Sequence, residues 1–369
     1  MVPKIEIAGF RDFGSLGEAW RALEAEAAPF SFFQSWTWVG CLAEERFPDP
    51  VLVRATDAGR VVGLALFNRR GASLHLGESG EAGHDCIYVE HNGPLVAAGT
   101  AGDLPALMLR AAWGLRGIGR LVLSGVPPAL LAAAGGVPAR DRQDEAPFVD
   151  LAAIGRDGGG LLAALSANTR SQVRRSVRHF EAMGPLALSR PGSEAEEAAW
   201  FADLVSLHAE RWRRSGLAGA FAEPFMGRFH AALMPRARGR GEADLWRISA
   251  GAETLGYLYN FRHRGTVYAY QSGLRAFPGT AQARPGLVGH WLAIEEALAA
   301  GLGRYDFLAG PARYKRSLAT ASVPLAWGER VPRASAAGLL ALGLGAARRL
   351  RNRWGSPRAG ADEGRGGST

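Results

Sequence analysis

Cysteine is nearly absent: Cys41 and Cys86 are the only two in 369 residues. That excludes a disulfide-stapled scaffold and makes a reducing, cytoplasmic setting the expectation. Lysine is as scarce, with Lys4 and Lys315 against 41 arginines, so Lys315 stands out among the cations. No apolar run approaches the ~20 residues that span a bilayer. The opening MVPKIEIAGF lacks the basic-then-apolar layout of a secretion signal and reads as a strand. Glycine and proline make up 69 of 369 residues, below the ~25–30% of low-complexity chains. What remains is a folded composition, 47% hydrophobic and 21% charged, with a length that suggests about two domains.

Positive charge is concentrated at one end. Of the net +8, the stretch from Arg333 onward supplies +5, seven arginines against Asp362 and Glu363. The nearly balanced body does not indicate a nucleic-acid partner. Residues 334–347, ASAAGLLALGLGAA, are apolar and precede Arg348, Arg349, Arg351 and Arg353. Too short to cross a bilayer, this stretch reads as a C-terminal helix packed on the body. Peripheral contact with an anionic membrane is the alternative. Residues 355–369 read as disordered.

The sequence repeats itself at long period. LVRATDAGRVVGLALFNRRGASLH (52–75) aligns without gaps on LWRISAGAETLGYLYNFRHRGTVY (245–268), and GIGRLVLSGVP (117–127) matches GLGRYDFLAGP (301–311). Both long copies read as three strands joined by turns, and both short ones follow a helical stretch. Each half therefore reads β-α-α-β-β-β-α-β, an α/β layer fold with a mixed sheet flanked by helices. The expected division is 1–150, then 151–332 with a linker helix near 158–182, then a basic tail over 333–369.

This order, the linker SANTRSQVRRSVRHFEAMG (166–184), the stretch RPGLVGHWLAIEEAL (284–298) and DFLAGPARYK (306–315) together resemble the tandem GNAT acyltransferases of the FemAB-like type. Within these the nearest likeness is to the CelD-like acetyltransferase group of cellulose biosynthesis. The resemblance covers about residues 1–330. It implies two GNAT-like domains and transfer of an acyl group from acetyl-CoA or another acyl-CoA to an amine or hydroxyl. The FemAB relatives use aminoacyl-tRNA instead. The usual GNAT pyrophosphate loop is Gln/Arg-x-x-Gly-x-Gly/Ala; here Arg284, Gly286 and Gly289 are spaced differently.

The halves differ in polarity. Six of the seven tyrosines lie between 257 and 314. Where the second half has Tyr257, Tyr259, Asn260 and Asp306, the first has Leu64, Leu66, Phe67 and Val122. Buried polar groups are costly unless paired or used, so the second half is expected to be catalytic and the first structural. Pro285 suits a first helical position, and a helix start with Arg284, Gly286, Leu287 and Gly289 suits a pyrophosphate. Acyl transfer needs a base, oxyanion donors and an acid for the departing thiolate. Tyr314 and Lys315 are the candidates for the donor and oxyanion roles. The resemblance implies a tyrosine for the thiolate and a lysine near the reacting carbonyl.

Asp306, in a strand suited to burial, needs a partner; it is either part of the chemistry or a structural anchor. Tyr270 completes the catalytic candidates, with Tyr259, Asn260 and Gln271 as substrate contacts. Arg174 and Arg178, with Arg170, form one face of the linker helix and are candidates to grip phosphates; a solvated charged face is the alternative. His84-Asp85-Cys86 has no companion cluster, so a structural role is expected and no metal. The acceptor expected is a small molecule or glycan precursor of the cell envelope or an exopolysaccharide. A non-catalytic scaffold in polysaccharide synthesis, held to the membrane by its tail, is the third reading.

Overall fold

A computed structural model describes residues 3–100 and 103–344. The first half runs β1 (Lys4–Gly9), α1 (Phe13–Glu26), α2 (Trp36–Arg46), β2 (Pro50–Asp57), β3 (Arg60–Arg70), β4 (Ser73–Leu76), β5 (Leu95–Val96), α3 (Leu104–Ala111), β6 (Arg120–Val126), α4 (Pro128–Ala133) and β7 (Val137–Asp150). Three helices follow: α5 (Leu151–Asp157), α6 (Gly160–Ala164) and α7 (Ala167–Glu181). The second half is β8 (Leu186–Ser189), α8 (Glu194–Arg214), α9 (Pro224–Arg238), β9 (Ala243–Ala250), β10 (Glu253–His263), β11 (Thr266–Leu274), α10 (Pro285–Ala299), β12 (Arg304–Asp306), α11 (Arg313–Leu318) and β13 (Ala321–Val331).

The thirteen strands form one mixed sheet flanked by helices, the α/β class expected. Its order is β1-β2-β3-β4-β6-β13-β7-β12-β11-β10-β9-β8, with β5 beside β3. Replacing each strand by its counterpart in the other half reverses this order, so a pseudo-twofold passes between β13 and β7. The doubling extends to register: β2 and β3 pair antiparallel as β9 and β10 do, and β4 and β6 pair parallel as β11 and β12 do.

Two strands were not expected. β7, which closes the first half, pairs with β12 of the second, and β13, which closes the second half, pairs with β6 of the first. β13 also pairs along its whole length with Val137–Phe148 of β7. Each half thus completes its sheet with the other's last strand. The expected linker helix over 158–182 is broken: α6 ends at Ala164, and Ser166 caps α7 through the Thr169 N–H. A serine oxygen there satisfies a first-turn amide and makes a new helix start favourable.

The core also joins the halves. Trp38 and Phe32, from the first half, are fully buried against Phe261 of the second. Phe32 and Phe261 stack with ring centroids 4.2 Å apart. Such aromatic contacts contribute about 0.5–1.5 kcal/mol beyond the area they bury.

The C-terminal stretch departs from expectation. A helix occupies 336–344, but Leu339 and Leu340 are 64% and 66% exposed, so they do not pack on the body. The tail expected to be disordered lies outside the described residues. No helix among the described residues is long and apolar enough to cross a membrane.

Candidate active site

β11 and β12 run side by side only where Thr266–Tyr268 face Arg304–Asp306. β12 then ends while β11 continues to Leu274, and the sheet splits. β11 also carries a register shift: Tyr259 faces Gln271 and Asn260 faces Ala269, leaving Tyr270 unmatched. An extra residue of this kind bends the strand and re-aims its side chains.

Two cavities occupy the split. The first, of about 700 Å³, lies at the start of α10 and is lined by Arg284, Pro285, Gly286, Leu287 and Leu274, with Asn168, Thr169 and Gln172 of α7. Arg211, Arg214, Arg275 and Arg313 also line it, against Glu210 as the single acid among the described residues. A helix start facing five guanidinium groups is suited to an anion such as a pyrophosphate. A Cβ on Gly286 would sit 2.8 Å from Leu274 Cδ1, so a larger residue there would displace that side chain from the cavity wall. Arg284 is braced through its Nε to the Ala281 carbonyl at 3.1 Å and through Nη1 to the Gln172 side chain.

The second cavity, of about 740 Å³, is lined by Lys315, Tyr270, Gln271, Trp212, Leu217 and Glu90, among others. Arg211, Ser272, His290 and Tyr314 line both cavities and mark where they meet. Tyr314 stacks on His290, centroids 5.0 Å apart and planes 14° from parallel. Burial holds the His290 imidazole down at about 3, helped by the Lys315 and Arg211 charges, so it is neutral at pH 7. Its Nδ1 lies 2.9 Å from the Tyr305 hydroxyl. Burial also raises the Tyr314 phenol above its usual range, against the pull of Arg211.

Lys315 points into a turn. Its Nζ donates to the carbonyls of Leu308 at 3.2 Å and Ala309 at 2.7 Å. An ammonium has three N–H groups, so one is left for the cavity. Desolvation lowers its pKa, and Glu90 and Asp306 oppose that shift. The turn is built from Leu308 at φ 60° and Gly310 at φ 127°.

Glu90 was not foreseen. It is the one carboxylate lining the second cavity among the described residues, and it comes from the first half. Its Oε2 accepts the Ala309 N–H at 2.5 Å, so Glu90 and Lys315 hold the same turn. Burial raises the Glu90 carboxyl, with the Ala309 N–H and the Lys315 charge working against the shift. The only sequence cue is an acid inside the largely apolar stretch CIYVEHNGPLV.

The way Glu90 is delivered also shows what fills the gap between β4 and β6 in the first half. Asn92 donates its N–H to the Gly125 carbonyl and its Nδ2 to the Leu76 carbonyl, both at 2.9 Å, bridging the ends of β4 and β6. Gly125, at φ 63°, passes so close that a Cβ would lie 2.5 Å from the Val89 oxygen. The segment after β4 therefore plugs its own split and carries Tyr88 and Glu90 into the neighbouring one. Asp85 fixes its base by accepting from the Ser79 and Gly80 amides, the structural role expected there.

Other sequence candidates lie elsewhere. Asp306 faces a separate cavity of about 540 Å³, where it accepts from the Leu308 N–H at 2.8 Å and Arg304 Nε at 2.9 Å. Desolvation alone would raise its pKa, but His91, Arg304 and that N–H together lower it. It anchors the turn that Lys315 grips. Tyr259 is wholly buried, its hydroxyl 3.2 Å from His230 Nδ1. Asn260 faces α10 across a void of about 10 Å³. Tyr270 reaches the second cavity with its ring, while its hydroxyl donates to the Ile87 carbonyl at 2.5 Å. Gly289 lies against the sheet, where a Cβ would be 2.2 Å from Ile248 Cδ1; it sets the helix-to-sheet approach. Arg174 and Arg178 are exposed on α7 and line neither cavity.

No metal-holding group of His, Cys, Asp or Glu occurs among the described residues.

Comparison with known proteins bears on the fold. Residues 167–316 match the family described as acetyltransferase (GNAT) domain, less than half of the chain. No curated protein matches. Among solved structures, FemX is similar with TM-score 0.56 and 11% identity over 88% of this chain and 96% of that one. The C-terminal domain of a putative lysylphosphatidylglycerol synthetase from Agrobacterium fabrum is similar with TM-score 0.54 and 12% identity over 92% and 97%. L-PGS from Bacillus licheniformis is similar with TM-score 0.51 and 10% identity over 89% and 95%. At these identities the likeness is one of fold. The residues that match the acetyltransferase (GNAT) domain, 167–316, lie in the second half and supply most of the lining of the two cavities.

Proposed function

We propose that the protein moves an acyl group from acyl-CoA to an amine or hydroxyl, with the second half catalytic and the first structural apart from its gift of Glu90. The observation that carries this is the meeting of an arginine-lined cavity with a second cavity at His290 and Tyr314. In this reading the first cavity takes the CoA phosphates at Arg284, Gly286 and Leu287. The thioester lies at the junction, and the acceptor fills the second cavity beside Gln271 and Trp212. The acceptor's lone pair attacks the thioester carbonyl. Lys315 and neutral His290 offer hydrogen bonds to the oxyanion. Glu90 receives the acceptor's proton, and Tyr314 protonates the sulfur as the C–S bond breaks.

The resemblance of the sequence to the CelD-like acetyltransferase group supports an acceptor among cell-envelope or exopolysaccharide precursors, met in the cytoplasm at the inner face of the membrane. Isothermal titration with acetyl-CoA tests the donor: micromolar binding, lost in Arg284→Ala, is expected. No heat at millimolar ligand refutes the reading. A charged tRNA is the second donor to consider, because Arg174, Arg175 and Arg178 stand exposed on α7. A salt-sensitive gel shift with aminoacyl-tRNA would select it.

A further inference from the structure

The helix over 336–344 presents a surface that nothing in the fold uses. Leu339, Leu340, Leu342 and Leu344 are 64%, 66%, 41% and 56% exposed. Gly338 is the one residue of this helix that is buried. The helix is therefore apolar on nearly every side and in contact with the body at almost none. Folding gains nothing by leaving four leucines in water; clustered exposure of this kind is characteristic of a surface that another surface covers.

Charge identifies the covering surface. From residue 331 to residue 361 the sequence holds six arginines and not one aspartate or glutamate. Arg333 precedes the leucines, and Arg348, Arg349, Arg351 and Arg353 follow them, with Trp354 next. A sequence that sets leucines in this density beside arginines and a tryptophan suits the boundary between acyl chains and anionic headgroups. A protein groove would need acids for those arginines or a rigid apolar cleft, whereas a bilayer offers both partners at once. The helix is too short to cross.

We infer that the helix over 336–344 is a docking element for an anionic lipid surface, with its leucines entering the headgroup boundary beside Arg333. It names the element behind the membrane contact proposed above but does not depend on acyl transfer, since vesicle binding and acetyl-CoA binding are separate measurements.

The test is co-sedimentation of the full chain with vesicles of phosphatidylcholine alone or containing about 30% phosphatidylglycerol. At least a ~10-fold preference for the anionic vesicles is expected at low salt, falling sharply near ~0.5 M salt. The combined variant Leu339→Ser, Leu340→Ser, Leu344→Ser should lose most of this binding yet keep its melting temperature and acetyl-CoA titration unchanged, because the three side chains contact little. Absence of sedimentation with anionic vesicles at low salt overturns the inference. So does full retention of binding by the serine variant. A concentration-dependent dimer in sedimentation equilibrium, lost in that variant, overturns it in favour of a second copy as the covering surface.

Discussion

At the residue scale the site turns on groups whose neighbours decide their chemistry. Lys315 has two carbonyl partners and one N–H to spare. Replacing it with methionine keeps the bulk and removes that donor. We expect turnover to fall by about 100-fold or more while acetyl-CoA affinity stays within a few-fold, as for loss of an oxyanion donor. Steady-state rates beside calorimetry check this. Tyr314→Phe should slow the reaction with a poor thiol leaving group more than with an activated thioester, because only the former needs a proton.

The buried carboxyl of Glu78 gives a test of sign. Burial and the nearby Asp85 raise it from 4.5 to about 8, while the Ser124 hydroxyl opposes this. The native state thus holds a proton that the unfolded chain releases. Its contribution to stability is complete below about 4.5 and lost as pH rises through about 8. Glu78→Gln, which can still accept from Ser124, should melt higher than the parent at pH 9 and show a flatter pH dependence. Thermal melts at pH 6 and 9 decide it.

At the scale of elements, Gly289 lets α10 lie close on the sheet. Gly289→Ala would place a methyl 2.2 Å from Ile248 Cδ1. Overpacking of this kind costs about 1–3 kcal/mol. Ile248→Val removes that atom, so the double variant should recover part of the loss, read as a coupling energy in a denaturant cycle. The element scale is also where the sequence was most and least legible. β2, β3 and β4 recur as β9, β10 and β11 at the offset of 193 seen in the aligned sequences, because alternation and turns write themselves locally. β7 was invisible: Arg140, Asp141, Arg142, Asp144 and Glu145 interrupt any alternation. β13 carries Pro324 and Gly328, both poor strand residues. Pro324 is tolerated because β6 pairs with β13 only from Ala326 onward, leaving that side of Pro324 without a ladder partner. At the site, Lys315, Tyr314, Arg284 and Gly286 could be found from residue type and position. Glu90 could not, because its place depends on Asn92 bridging two strands and carrying the chain across to the other half.

For the whole molecule, strand exchange makes the halves mutually dependent. Residues 1–150 alone would leave β7 without both of its partners, and residues 151–332 alone would leave β12 and β13 unsupported. We expect neither piece to fold by itself, and co-expression of the two to restore a complex that binds acetyl-CoA. Calorimetry of the intact chain should show one transition, since the sheet and the aromatic core both cross the division.

The position of β7 has a consequence during synthesis. It leaves the ribosome more than 150 residues before β12 and longer still before β13. Through that interval its backbone amides and carbonyls wait without a ladder, an invitation to join a strand from another nascent chain. The same charges that hid β7 from pattern reading act as gatekeepers against that error. Its polarity is what a strand must have if it is born early and wed late.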